Sequence, residues 1–350
     1  MARGQRPTLR DVARLAGLSV TQTSRALNGH SDVAVATRDR AREAARELGY
    51  VPNLEARRLK MPDTRSHSIG LVLVSSQRFS DPFFGSLLTT MVDEATARGY
   101  ELQLSAPLAD EDPTESYRRA ILTKRVDGFV LLRTARNDPR AHYLADRSVP
   151  FVTFGRVEGG LASPTVAEAP DGLGPAVDHL VELGHRRIGY LMEPREFSIG
   201  SGRSESFVRA MTAAGLTPAE HHLVPSGFRD DTGFAAAGKL LDGPDPPTAL
   251  LAANDLLALG AMRAAAARGL EVPGELSVVG FDDISAASFS TPPLTTLRHH
   301  DGAIGRELIT LLLAAIDEPG RADEVFLRPE LIVRGTTGPP PRSDGGAARS

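Results

Sequence analysis

From residue 69 onward, apolar runs of four to six residues recur between segments of helical spacing, and this alternation limits the possible folds more than any other feature. IGLVLV (69–74), YELQLS (100–105), GFVLL (128–132) and FVTF (151–154) form one set, separated by helix-like stretches near 83–98, 113–124 and 138–147. RIGYLM (187–192), HLVP (222–225), ALLAA (249–253) and LSVVGF (276–281) form a second, interleaved with helices near 172–183, 202–214, 231–241 and 255–268. Such runs are strands buried on both faces, as parallel sheets wrapped by helices require. Two sets predict two doubly wound α/β subdomains with a ligand cleft at the carboxyl ends of the strands. A chain of 350 residues has the length for two or three folded units.

The first sixty residues follow another pattern. Thr8 with Asp11 is a capping arrangement opening a helix through about Ala16, with Leu9, Val12, Ala13 and Ala16 as its apolar stripe and Gly17 as its end. Ser19 with Gln22 is an S-x-x-Q capping box, so a second helix runs from Val20 to about Leu27 and stops at Asn28-Gly29. Two helices joined by a Gly-containing tight turn make a helix-turn-helix candidate. A third helix near 37–48 sets Ala41, Ala44, Ala45 and Leu48 on one face, ends at Gly49 and is barred from continuing by Pro52. Leu18 and Leu27 have the spacing to pack the three helices together. The organisation expected is an all-α domain over 1–52, a junction over 53–66 in which Asn53 can cap a short NLEARRLK helix, and a two-subdomain core over 67–337. The tail 338–350, GPPPRSDGGAARS, is too polar and too rich in Pro and Gly to pack, and is expected to be disordered.

The formal charge of −4 hides an asymmetry. Residues 1–62 hold twelve Lys/Arg against six acids, a net +6, which leaves −10 for the rest. A basic head on an acidic body suits a chain that meets a polyanion at one end, although a solvated helical surface carries the same charges. The lack of cysteine excludes disulfides, thiolate-ligated zinc, iron–sulfur clusters and cysteine nucleophiles. No apolar core of signal-peptide length opens the sequence and no run of about 18 apolar residues follows, so a cytoplasmic protein is expected.

TLRDVARLAGLSVTQTSRALNG, followed by TRDRAREAARELGYVPNLEARRL, resembles the DNA-binding head and hinge of the LacI/GalR transcriptional regulators in order and spacing. In the body, IGLVLV, DPFF, VDGFVLL, HLVELGHRRIGYL, TALLAANDLLALGAMRA, LSVVGFDD and PPLTTLR are family-like as well, so the resemblance spans roughly residues 8–335. It implies a periplasmic-binding-protein-like core that closes on a small effector, most often a sugar. It also implies a homodimer, or a dimer of dimers, that represses transcription from pseudo-palindromic operator DNA under allosteric control. The second helix is then the one that enters the major groove. Val20 can meet a thymine methyl, Thr21 can hydrogen-bond a base edge, and Arg25 can take guanine in a bidentate pair or else contact a phosphate. Thr8, Ser19, Gln22, Ser24 and Asn28, with Tyr50 and Asn53, fall at backbone-positioning sites. In the hinge, Leu59 from each subunit wedges into a minor-groove step, Ala56 lets two helices approach, and Arg57, Arg58 and Lys60 supply charge, where the residues alone suggest an ordinary linker. Ala34 stands where the family usually opens the third helix with Ser or Thr, a loss of about 1 kcal/mol unless Ser31, Asp32 or Thr37 substitutes.

For the effector, the resemblance implies contacts at Asp81, Phe83, Phe84, Arg156, Asp171, Arg203, Asn254, Asp282 and His299. Asn254 and Asp282 follow strand ends, where pocket residues collect, while their neighbours Asp255 and Asp283 are expected to cap helices. One ring of the Phe83–Phe84 doublet is expected to reach ligand and the other the core. Asp, Asn, Arg and His without an anion cage suit a sugar or other polyol better than a purine. Gly155 stands where many relatives have an acid before the Arg, which sets the contacts of Arg156 apart. No enzyme, cofactor or metal is expected. No complete G-x-G-x-x-G follows a strand, neither a G-x-x-x-x-G-K-[ST] loop nor a G-x-S-x-G elbow occurs, and His299-His300-Asp301 lacks a third ligand direction. The competing reading, a sugar-binding protein serving a transporter, suits the body but not the basic head.

Overall fold

The computed structural model describes residues 7–27, 32–50, 65–73, 81–107, 111–112, 114–158, 161–300 and 302–341. They fall into two compact units, residues 1–65 and 66–350. In the first, α1 (Leu9–Ala16), α2 (Val20–Leu27) and α3 (Val35–Leu48) close on a core of small side chains. Val12, Ala44 and Ala45 are buried, with Ala16, Leu27, Leu48 and Tyr50 packed against them. Both predicted capping boxes form: Thr8 exchanges bonds with Asp11, and the Ser19 amide donates to Gln22 at 3.2 Å while the Gln22 amide donates to Ser19 Oγ at 3.1 Å. Gly17 and Gly49 end their helices at φ +65° and +64°, a left-handed turn that a Cβ would strain. Leu18 is half-buried in the turn, where its amide donates to the Ala13 carbonyl at 2.9 Å.

The second unit holds two six-stranded sheets. The first runs β11-β5-β4-β3-β1-β2, from β1 (Ser68–Val72), β2 (Glu101–Ser105), β3 (Gly128–Leu131), β4 (Phe151–Phe154), β5 (Thr165–Glu168) and β11 (Glu324–Leu327). The second runs β12-β10-β9-β8-β6-β7, from β6 (Ile188–Met192), β7 (Leu223–Pro225), β8 (Ala249–Ala252), β9 (Ser277–Phe281), β10 (Thr295–Arg298) and β12 (Glu330–Ile332). All pairings are parallel except β10 with β12. The central strands are buried along their whole length because helices cover both faces, as their unbroken apolar runs require. These helices are α4 (Pro82–Ala97), α5 (Glu115–Leu122), α6 (Pro139–Ala145) and α12 (Ala303–Asp317) on the first sheet. The second sheet carries α7 (Gly174–Glu182), α8 (Ser198–Ala213), α9 (Asp230–Leu241), α10 (Asp255–Ala266) and α11 (Ser285–Phe289).

Four strands, β5, β10, β11 and β12, and helices α11 and α12 lie outside the two alternating sets. TVAE, TTLR, EVFL and ELI are short and part polar, and β11 and β12 sit at sheet edges where one side remains half-exposed. α12 returns to the first sheet and buries Ile304, Leu308, Ile309 and Leu312 there. The chain therefore crosses between subdomains three times: after β5, after β10 and between β11 and β12. Ordered packing also continues past 337, since the Gly338 amide donates to Ser277 Oγ at 3.0 Å and its carbonyl accepts from Ser277 Oγ and His185 Nε2. Buried Ser277 and His185 need main-chain partners there, so Gly338, placed in the expected tail, is packed, and 342–350 lie outside the described residues. No helix among the described residues is long and apolar enough to cross a membrane.

Candidate nucleic-acid interface and effector cleft

The first turns of α2 present Val20, Thr21 and Gln22 to solvent, because the buried face of this short helix consists of Thr23 and Ala26. Arg25 is exposed and ion-paired with Asp32. Such a surface pair contributes at most about 1 kcal/mol and exchanges readily for a stronger partner. Tyr50 is half-buried against the core, which pushes its hydroxyl pKa up, and Ser24 is half-buried as well. The Thr8 hydroxyl is committed to Asp11 at 2.6 Å, and this bond holds the Asp11 carboxyl below its usual range. Asn28, Asn53, Ala56, Arg57, Leu59 and Lys60 lie outside the described residues.

In the second unit a cavity of about 80 Å³ opens between the subdomains. Phe83, Phe84 and Phe154 wall it from one side, Phe197 and Phe228 from the other, and Asp81, Arg133, Glu193, Arg203, Asn254 and Asp282 supply its polar groups. Past Asp282 and Phe83 lies a second space of about 200 Å³ that His299 also borders. Typical ligand pockets run about 300–1,000 Å³, so each of these spaces is small beside them.

Arg203, on α8, is the centre of the site. It is fully enclosed, and its guanidinium lies 3.8 Å over the Phe281 ring. Its Nε donates to Glu168 at 2.9 Å and its Nη2 at 2.5 Å, while Nη1 donates to the Ala253 carbonyl and to Glu193 at 3.3 Å. Burial alone would raise the Glu168 carboxyl, but Arg203 and a bond from His299 at 3.4 Å outweigh it and hold the pKa down at about 2. Asp282 fares differently. It ends β9 at φ +106°, a left-handed conformation that turns its carboxylate to within 3.6 Å of Arg203 Nη2 without a hydrogen bond. Burial pushes its pKa well up against the pull of Arg203, and Oδ1 has no hydrogen-bond partner. His299 Nδ1 is likewise buried and unpartnered. Unpaired buried polar atoms are costly, and their place in a cleft marks where a ligand would complete the bonding.

A model for bacterial regulatory proteins of the lacI family matches residues 8–53, and one for a periplasmic binding protein-like domain matches 177–337. The chain is 36% identical over 342 residues to the HTH-type transcriptional regulator AglR of Rhizobium meliloti (strain 1021), covering 95% of each chain. It is 33% identical to the HTH-type transcriptional repressor CytR of Escherichia coli (strain K12), covering 94% of this chain and 96% of that one. The chain belongs to the lacI family. Among solved structures, a transcriptional regulator CelR–cellobiose complex matches with a TM-score of 0.70 at 32% identity, covering 95% of this chain and 100% of that one. The lac repressor dimer bound to operator and the anti-inducer ONPF matches with a TM-score of 0.84 at 28% identity and the same coverage. This lacI-family protein is a DNA-binding transcriptional regulator, with a helix-turn-helix head and a core of two parallel-sheet subdomains. The family is one of regulators rather than enzymes.

Within this regulator the cleft gathers seven of the nine residues singled out from sequence: Asp81, Phe83, Phe84, Arg203, Asn254, Asp282 and His299. Phe84 belongs to the buried core as well as the cavity wall, and Phe83 is half-buried. Asp81 caps α4 through the Phe83 amide at 3.1 Å and faces Arg133 at 3.8 Å, with burial raising its pKa against that neighbour. Asn254 caps α10 by accepting from the Leu257 amide at 2.8 Å, and its Nδ2 donates to the Phe228 carbonyl.

Two residues go elsewhere. Gly155, at φ +93°, turns the chain out of β4, so Arg156 pairs with Glu324 and lies over Phe326 on the edge strand, outside the cavity that holds Asp282. Asp171 is exposed and paired with Arg328, tying one interdomain crossing to another. Asp255 and Asp283 cap no helix. Asp255 bridges buried groups, and Asp283 pairs with Arg298 and with Arg334 at 2.7 Å. Sequence reading missed Arg133, Glu168, Glu193, Phe154, Phe197 and Phe228. Glu193 and Arg133 follow strand ends, the same signal that selected Asp282, whereas Glu168 ends a strand the apolar pattern did not reveal. The nearest thing to a metal-ligand group among the described residues is His221, His222 and Asp245, far along the chain from His299, and Asp245 is already paired with Arg187.

Proposed function

We propose that this regulator is a cytoplasmic homodimeric repressor whose grip on a pseudo-palindromic operator is set by a sugar closing the cleft around Arg203 and Asp282. The observation that carries this reading is the buried Asp282 carboxylate, held at a strained backbone angle with an unpartnered oxygen inside a phenylalanine-walled cavity. Aromatic rings suit the apolar faces of a sugar and acceptor oxygens suit its hydroxyls. The cellobiose complex of a structural relative supports the same ligand class.

At the other end, Val20, Thr21 and Arg25 address base edges in the major groove, Ser19, Gln22 and Ser24 position the backbone, and Leu59 with Ala56 forms the minor-groove wedge. Effector and operator are linked reciprocally: a sugar that prefers the subdomain placement which DNA disfavours is an inducer. Induction is the sign we favour.

The test is a thermal-shift screen against sugars, followed by an operator gel shift with and without each hit. Asp282→Ala is expected to lower affinity for the hit at least tenfold and to abolish its effect on the operator complex. An unchanged response would remove Asp282 from the pocket.

A further inference from the structure

The charged groups of the cleft do not balance. Two guanidinium groups, Arg133 and Arg203, face four carboxyl groups, Asp81, Glu168, Glu193 and Asp282. Each nitrogen of Arg203 is already engaged. Glu168 takes its Nε–Nη2 side, and the Ala253 carbonyl and Glu193 take Nη1. Arg133 is engaged too, stacked 4.0 Å over Phe228 with Asp81 alongside. An incoming phosphate or carboxylate would find only Arg133 without a hydrogen bond, and that cation already has Asp81 at 3.8 Å; the anion would also lie against Glu193, which is buried, and the unpartnered Oδ1 of Asp282. Burying an unpaired anion beside two carboxyl groups is far more costly than burying a hydroxyl that donates to one of them.

We infer that Glu193 is a specificity-determining residue: with Asp282 it gives the cleft a surplus of acceptors, so the site takes an uncharged polyol and turns away the phosphorylated or carboxylated form of the same polyol. This rests on the reading of the cleft as the effector site. Specificity here comes from a repulsive element placed against the wrong ligand as much as from contacts to the right one.

The experiment is a thermal-shift titration of the full chain and of E193Q and E193D with matched probes. These are glucose, glucose 6-phosphate and glucuronate, galactose and galactose 6-phosphate, cellobiose and cellobionate, and trehalose and trehalose 6-phosphate. In the unmodified protein at least one uncharged probe binds, and its anionic counterparts bind at least tenfold more weakly. E193Q narrows that gap tenfold or more, and E193D, which keeps the charge, preserves most of it. A single cooperative unfolding transition in the unliganded variants shows that each has folded. An anionic probe binding as well as its uncharged partner, or an E193Q gap equal to that of the parent, overturns the charge selectivity and leaves the sugar reading standing. No shift with any probe overturns the sugar reading and this inference with it.

Discussion

Asp255 is fully buried at the start of α10, where its carboxyl oxygens meet the Ile284 amide at 2.8 Å and the Thr296 hydroxyl at 2.6 Å. A Cβ on Gly280 would come within 2.1 Å of Asp255 Oδ1, so only glycine leaves room for this bridge. Burial raises the Asp255 pKa to about 7, more than the two bonds lower it. The sign follows from linkage. The folded chain keeps this proton up to about pH 7 while the unfolded chain releases it near 3.8, so the group's contribution to stability falls as pH rises between those values. Asp255→Asn mimics the neutral carboxyl. Its melting temperature is expected to lose part of the decline that the parent shows from pH 4 to 7, and a variant profile parallel to the parent's would contradict this. From sequence Asp255 was expected to cap the helix, a part that Asn254 takes while also lining the cleft. Adjacent polar residues at a strand–helix junction are distinguished only by which way the turn points each one, and that depends on β9 and β10 arriving alongside.

Helix α3 starts at Val35 with Ala34 as its N-cap, a residue whose side chain makes no capping bond. Asp32, one of the possible substitutes, is paired with Arg25 instead. Ala34→Ser is accordingly expected to stabilise the head by about 1 kcal/mol, read as a higher midpoint for the transition that reports on residues 7–50 in the full chain. No gain would mean that the first-turn amides are already satisfied. At this scale the sequence was most legible: α1 and α2 carry the two capping boxes, Gly17 and Gly49 close α1 and α3, and ends set by local hydrogen bonds need no distant partner. The edge strands β11 and β12 were not legible, since EVFL and ELI have too few apolar residues to stand out and become strands only when β5 and β10 supply a ladder.

Across the core, the subdomains meet at more than the three crossings. Ala135 and Phe197 form an antiparallel bridge, and the Ser198 amide donates to the Thr134 carbonyl at 2.8 Å. Gly155 fits beneath them, where a Cβ would stand 3.1 Å from Ser198. This main-chain latch holds the lips of the cleft together. Bridged residues have Cα atoms about 4.5–5.5 Å apart, within disulfide range, and the chain has no cysteine of its own. An oxidised Ala135→Cys, Phe197→Cys double variant is expected to lock the cleft and abolish the effector's influence on operator affinity in a gel shift relative to the same variant reduced, which also controls for the loss of the Phe197 ring from the cavity wall. A full response in the oxidised form would show that closure is not the switch. The sequence by itself determined the head and the two strand–helix sets, because helix ends and buried strands are written in local spacing, while the cleft residues came from the family resemblance, with strand-end position supporting Asn254 and Asp282 alone. Only the tertiary structure decided that α12 and β11 belong to the first subdomain, that Arg156 and Asp171 pair with Glu324 and Arg328, and that Glu168 and Glu193 pair with Arg203. Those outcomes depend on charges and ladders brought together from segments far apart in the chain, and nothing in local spacing encodes which of several carboxylates one buried guanidinium will meet.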